Sequence, residues 1–136
     1  MTICGIELSA SEAILTLLKG NKEDYKLVDV EPRKIKIVND TDQNEIKAFR
    51  DSIFAFFREN SVSNIYIKKR VKRGNYAGGP TSFKLEGIIQ LYDECPVSLI
   101  PPQTISSTNR HRHNTIPSEI RRYQHIAFET AYTGLP

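Results

Sequence analysis

A short apolar run, Ile65 Tyr66 Ile67, breaks off into Lys68 Lys69 Arg70, passes through Lys72 Arg73 Gly74 Asn75 Tyr76 Ala77 Gly78 Gly79 Pro80, and turns helical from Thr81. This is the order of a buried strand, a basic glycine-rich loop and a helix start. At such a junction the free N–H groups and positive end of the helix face the loop, and the lysines and arginines add full charges. The stretch therefore has the chemistry of an anion site in an α/β protein.

The rest of the chain supplies a sheet for that strand. Thr2 to Glu7 and Ala13 to Leu18 read as a hairpin, with Leu8 Ser9 Ala10 Ser11 as its turn. Strand composition returns over Tyr25 to Val30 and Ile35 to Val38, interrupted by Pro32, which argues for a bend or an edge position. Asp42 and Glu45 have the spacing of a capping box, and Ile46, Phe49, Ile53 and Phe56 follow at helical spacing to about Glu59. Leu85, Ile88, Ile89 and Tyr92 make one stripe of a helix from Thr81 to Glu94. Val97 to Ile100 is a further strand, stopped by Pro101 and Pro102. The polar, aperiodic segment Gln103 to Thr115 reads as a long mobile loop, and a last helix with Ile120, Tyr123, Ala127 and Ala131 on its apolar face starts near Pro117.

The order is three strands, helix, strand, helix, strand, helix. An antiparallel start followed by βαβα units predicts a mixed five-stranded sheet with helices on both faces. At 136 residues the chain fits one domain over residues 1–136, and 39% apolar with 26% charged residues excludes global disorder. Cys4 and Cys95 lie in no metal-ligand or CxxC spacing, so zinc and thioredoxin-type chemistry have no support. Without a signal-like start or a span-length apolar run, a cytoplasmic protein with no membrane partner is expected. Net charge is +3, but five of the nineteen Lys and Arg residues fall between Lys68 and Arg73, so the partner question centres on that loop.

The strand order, an opening "CGIELS" and the run "KRGNYAGGPTSFKLEGIIQL" resemble the ribonuclease H-like fold, in particular the RuvC-type Holliday-junction resolvases. At finer grain, Cys4 to Leu8, Gly78, Gly79, Phe83, Glu86, Ile89 to Leu91, Ala127, Phe128 and Thr130 to Tyr132 are similar to the short bacterial proteins of the domain of unknown function 3010 family. In the resolvases, carboxylates from the first strand, the fourth strand and the last helix hold two divalent ions against a scissile phosphate. Carried over, the resemblance puts Glu7 at the first-strand position and Lys68 or Lys69 at the fourth-strand position, where positive charge disfavours a divalent ion. The last helix offers Glu119 and Glu129, and Glu86 is a further carboxylate in the helix before it.

These observations support a nucleic-acid or phosphate-ligand binding module with a degenerate nuclease site. Its binding residues are Lys68, Lys69, Arg70, Lys72, Arg73, Gly78 and Gly79, and its partner is DNA or RNA. The rival is a metal-dependent phosphodiesterase using Glu7, Glu86 and Glu119 or Glu129, with Mg²⁺ or Mn²⁺ required only in that case. A protein-interaction module on the same scaffold is the third reading, and the resemblance to resolvases admits a homodimer. His111 and His113 sit among arginines, a poor composition for a cation site.

Overall fold

The computed structural model describes residues 1–71 and 79–136. Its elements are β1 (Thr2–Ser9), β2 (Glu12–Gly20), β3 (Tyr25–Val28), β4 (Lys34–Lys36), α1 (Gln43–Glu59), β5 (Val62–Lys68), α2 (Pro80–Gln90), β6 (Val97–Ile100), α3 (Pro102–Arg110) and α4 (His125–Gly134), the last preceded by a 3₁₀ turn at Arg122–Gln124. They form a mixed α/β sheet in the order β3-β2-β1-β5-β6, with β4 pairing beside β3 on the outer edge of β2. β2, β3 and β4 run antiparallel to their neighbours, whereas β1, β5 and β6 are mutually parallel. The expected class stands, and the sheet gains a sixth strand because the segment after Pro32 pairs separately, through Ile35 opposite Ala13.

β1 is central, and its side chains alternate between two cores. Cys4, Ile6 and Leu8 join Leu15 and Leu17 of β2, Ile65 and Ile67 of β5, the α1 residues Phe49, Ile53 and Phe57, and Leu85 and Ile89 of α2. Ile3, on the opposite face, joins Leu18 with Ile120, Phe128, Ala131, Tyr132 and Leu135. Helices therefore cover both faces, α1 and α2 on one and α4 on the other. Gly5 lies between Ile3 and Glu7 on the α4 face. A Cβ built there would stand 2.3 Å from both the Ala127 carbonyl oxygen and the Ala131 amide nitrogen. The helix backbone rests directly on β1, and only glycine permits that approach.

Local departures from the sequence reading have identifiable causes. Asp42 is the N-cap of α1, but its carboxylate accepts from the Asn44 N–H at 2.8 Å, and Glu45 reaches past it to accept from Val38 and Asn39 at 3.0 and 2.9 Å. The expected reciprocal box is replaced by one that ties the preceding loop to the helix. α2 ends at Gln90, short of Glu94. Gln103 to Thr115 is no mobile loop. Pro102 opens α3, which buries Ile105 and is held to α4 by Asn109, whose amide donates to the Glu129 carbonyl at 3.1 Å. Arg112 then lies over the rings of Phe128 and Tyr132, 5.3 and 5.9 Å from their centroids. A Ser/Thr-rich helix with one buried apolar residue leaves no 3.6-residue signal, which is why it reads as loop. The last helix starts at His125, and Tyr123, expected on its apolar face, is 41% exposed on the turn before it.

Candidate functional site

The candidate site lies at the C-terminal ends of β1 and β5, on the α4 face. The pairing of Ile6 with Ile67 puts Glu7 beside Lys68, one residue further along two parallel strands, and both point away from the α1/α2 core that takes Ile6 and Ile67. Glu7 faces Ile14 across β2, whose turn-proximal Glu12 is paired with Ser9. Lys69 continues the ladder by donating its N–H to Ile100 at 2.9 Å. Arg70 follows on the Glu7 side, half-buried, its Nε fully enclosed and without a hydrogen-bond partner among the described residues.

The electrostatics of Glu7 follow from this arrangement. Burial pushes its carboxyl above the ordinary glutamate value, the charges of Lys68 and Arg70 pull it back, and Glu12 adds to the upward push. Among the described residues no direct ion pair to Glu7 forms, so the two cations act on it through space at the end of the sheet. Gly79 serves as the N-cap of α2, with no side chain capping the helix and Pro80 in its first turn. Four of the predicted phosphate-binding residues are thus described: Lys68, Lys69, Arg70 and Gly79. Lys72, Arg73, Gly78 and the loop Tyr76 lie outside the described residues.

None of the other predicted carboxylates is among the charges that act on Glu7. Glu86 belongs to α2, in the layer on the opposite face of the sheet. It is 9% exposed, and its Oε2 is buried without a hydrogen-bond partner among the described residues. Glu129 is half-buried on α4, where its carbonyl accepts from Asn109 and from the Thr133 hydroxyl at 2.7 Å. Glu119 stands exposed in the segment before the 3₁₀ turn. A divalent ion of the kind the resemblance implies needs several carboxylates around one point, and no group of three His, Cys, Asp or Glu side chains placed to hold a metal occurs among the described residues. The donor set beside Glu7 is cationic and does not fit such an ion.

Two residues near this end of the sheet escaped sequence reasoning. Gln124 is buried and donates to the Leu15 carbonyl at 3.0 Å, which anchors the start of α4 on β2. Lys34 of β4, opposite Ile14, sets its ammonium 4.8 Å from the ring centre of Tyr123. The alternation of Lys34, Ile35 and Lys36 was a signal for the last of these, because it puts both lysines on one face of a strand.

Comparison with known proteins agrees with the architecture. Residues 1–134 match the model of a family described as a protein of unknown function, DUF3010. The chain belongs to that family. Its fold is similar to that of Thermus thermophilus RuvC, with a TM-score of 0.71 at 13% identity over 98% of this chain and 92% of that one. T. thermophilus RuvC in complex with Holliday junction substrate is similar at a TM-score of 0.66 and 12% identity, over 98% and 91% of the two chains. At these identities the likeness establishes a RuvC-like, ribonuclease H-like fold. No curated protein matches the sequence. Among the described residues no helix is long and apolar enough to cross a membrane.

Proposed function

We propose that this DUF3010 protein binds a nucleic acid or another phosphate-bearing ligand at the end of β1 and β5, without efficient nuclease chemistry. The observation that carries this reading is the register that puts Lys68 beside Glu7, with Arg70 next along the same face. Two cations against the half-buried Glu7 carboxylate place positive charge at the end of the sheet. They also occupy the neighbourhood in which a metal-dependent hydrolase would gather acids. The RuvC bound to a Holliday junction substrate has the same fold, which makes a nucleic acid the first ligand to test.

The test is a titration of labelled single-stranded, duplex and four-way-junction DNA at two salt concentrations, with Mn²⁺ absent and then present. Binding is expected to weaken as salt rises, because phosphate contacts release counterions, and to weaken further in Lys68→Ala/Lys69→Ala. Strand cleavage that needs Mn²⁺ and disappears in Glu7→Gln would replace this reading with the phosphodiesterase. Absence of binding to every form would refute both and leave a protein-interaction surface.

A further inference from the structure

The basic end of β5 is one side of a wider feature. On the α4 face, strand register draws a row across four strands: Lys34 on β4, Ile14 on β2, Glu7 on β1 and Lys68 on β5. Three strand spacings separate the outer members, about 14 Å. The far end of the row is not a lone lysine. Its neighbour Tyr123 is 41% exposed and carries Lys34 against its ring at 4.8 Å, and the exposed Arg121 and Arg122 precede it on the same turn. Gln124 fixes that turn to β2 at Leu15, the residue next to Ile14, so the aromatic is held at the level of Glu7 rather than on a loose tail.

Arg33 is already held by Asp29 at 2.8 Å and Glu31 at 3.2 Å, whereas the exposed Lys36, opposite Glu12 in the register, forms no ion pair among the described residues and adds a second cation beside Lys34. Lys34 forms no ion pair among the described residues, and its one close partner is an aromatic face.

The geometry points to a single-stranded nucleic-acid segment as the ligand, laid across the end of the sheet with its backbone on Lys68 and Arg70 at one side and on Lys34 at the other, and one base on Tyr123. This assignment rests on the phosphate-binding reading above and narrows it. A lone phosphate group is too small to meet both arms. An exposed tyrosine flanked by cations offers a π-face to any unpaired base, whereas the bases of a duplex stay stacked on each other. Glu7 in the middle of the row marks where the backbone must arch over the sheet, since a phosphate set down on that carboxylate would be repelled.

The sequence has no tryptophan, so Tyr123→Trp provides a single reporter at the far arm. Oligothymidylates of about two and about eight nucleotides, and a duplex of the longer length, are titrated against it and against Tyr123→Ala, Lys34→Ala and Lys68→Ala/Lys69→Ala in the wild-type background. The expected results are quenching of the tryptophan by the longer single strand but not by the dinucleotide, and a roughly tenfold loss of affinity in Tyr123→Ala. Lys34→Ala should lower the salt slope by about 0.7. Loss of binding in the Lys68/Lys69 variant, with no quenching and no effect of Lys34→Ala or Tyr123→Ala, would overturn the row and leave the phosphate site standing. Equal affinity for duplex without quenching would overturn the single-strand assignment. No binding of any oligonucleotide would overturn both readings together.

Discussion

Substituting Gly5 by alanine tests the seating of α4 on β1, on which the geometry around Glu7 depends. The added Cβ would meet two backbone atoms of α4 at 2.3 Å and the Ala131 Cβ at 2.6 Å. Ordinary contact begins near 3.5 Å, so helix and strand must part by about an ångström. No flexible side chain end is available to give way. Overpacking costs of about 1–3 kcal/mol are typical where neighbours can adjust, and here the neighbours are main chain, so at least about 3 kcal/mol is expected. For a chain of this length that corresponds to a fall in Tm of roughly 10 °C. The same substitution at Gly87 supplies the control. Gly87 is inside α2 with nothing within 4 Å of a built Cβ, so alanine there should stabilise by about 0.5–1 kcal/mol through helix propensity. Urea titrations followed by circular dichroism give both values. A Gly5→Ala change within about 0.5 kcal/mol of wild type would refute the direct backbone contact of α4 with β1.

Removing the stacked guanidinium in Arg112→Ala forfeits contact with Phe128 and Tyr132 and a 2.6 Å hydrogen bond to the Asn114 carbonyl. It should cost about 1–2 kcal/mol, and an unchanged melting temperature would show that the segment after α3 is not anchored there. Glu7→Gln removes a carboxyl whose folded-state value lies above its ordinary one, chiefly through burial. The folded state holds that proton more tightly, so the stability Glu7 contributes is fully present below the unfolded value and is lost as pH rises through the folded one. The variant should therefore be more stable than wild type at pH 7 and lose that advantage in acid. Thermal melts across pH check the sign, and a destabilised variant at neutral pH would mean that Lys68 and Arg70 outweigh burial.

How much of this was legible in the sequence depended on whether packing left a periodic trace. β1, α1, β5 and β6 bury apolar residues at their own spacing, and their ranges could be read to within about two residues of those observed. α3 buries only Ile105, so its polar turns resemble a loop, and α4 starts at His125 because Gln124 is tied to β2, a constraint that no local pattern announces. At the candidate site, the pairing of Glu7 with Lys68 required strand register. The resemblance to resolvases had already aligned these two positions, which is why the lysine could be noticed. Lys34 and Tyr123 lie 89 positions apart in the chain and meet only because β4 pairs on β2 while the 3₁₀ turn docks beside it.

The pieces at the end of the sheet are mutually dependent. Gly5 lets α4 lie directly on β1, and burial at the end of that strand is what raises the Glu7 carboxyl. A second acid at the β5 position would add like charge to a group already disfavoured by burial, and without a cation between them neither carboxylate would ionise readily. Lysine at that position instead pulls the Glu7 carboxyl back toward its ordinary value with a covalently attached charge, which needs no bound ion. The consequence is a sheet end with covalently attached positive charge beside Glu7. On the reading proposed above this surface holds a phosphate backbone, and among the described residues it has no group of three acid, histidine or cysteine side chains through which a divalent ion could turn binding into hydrolysis.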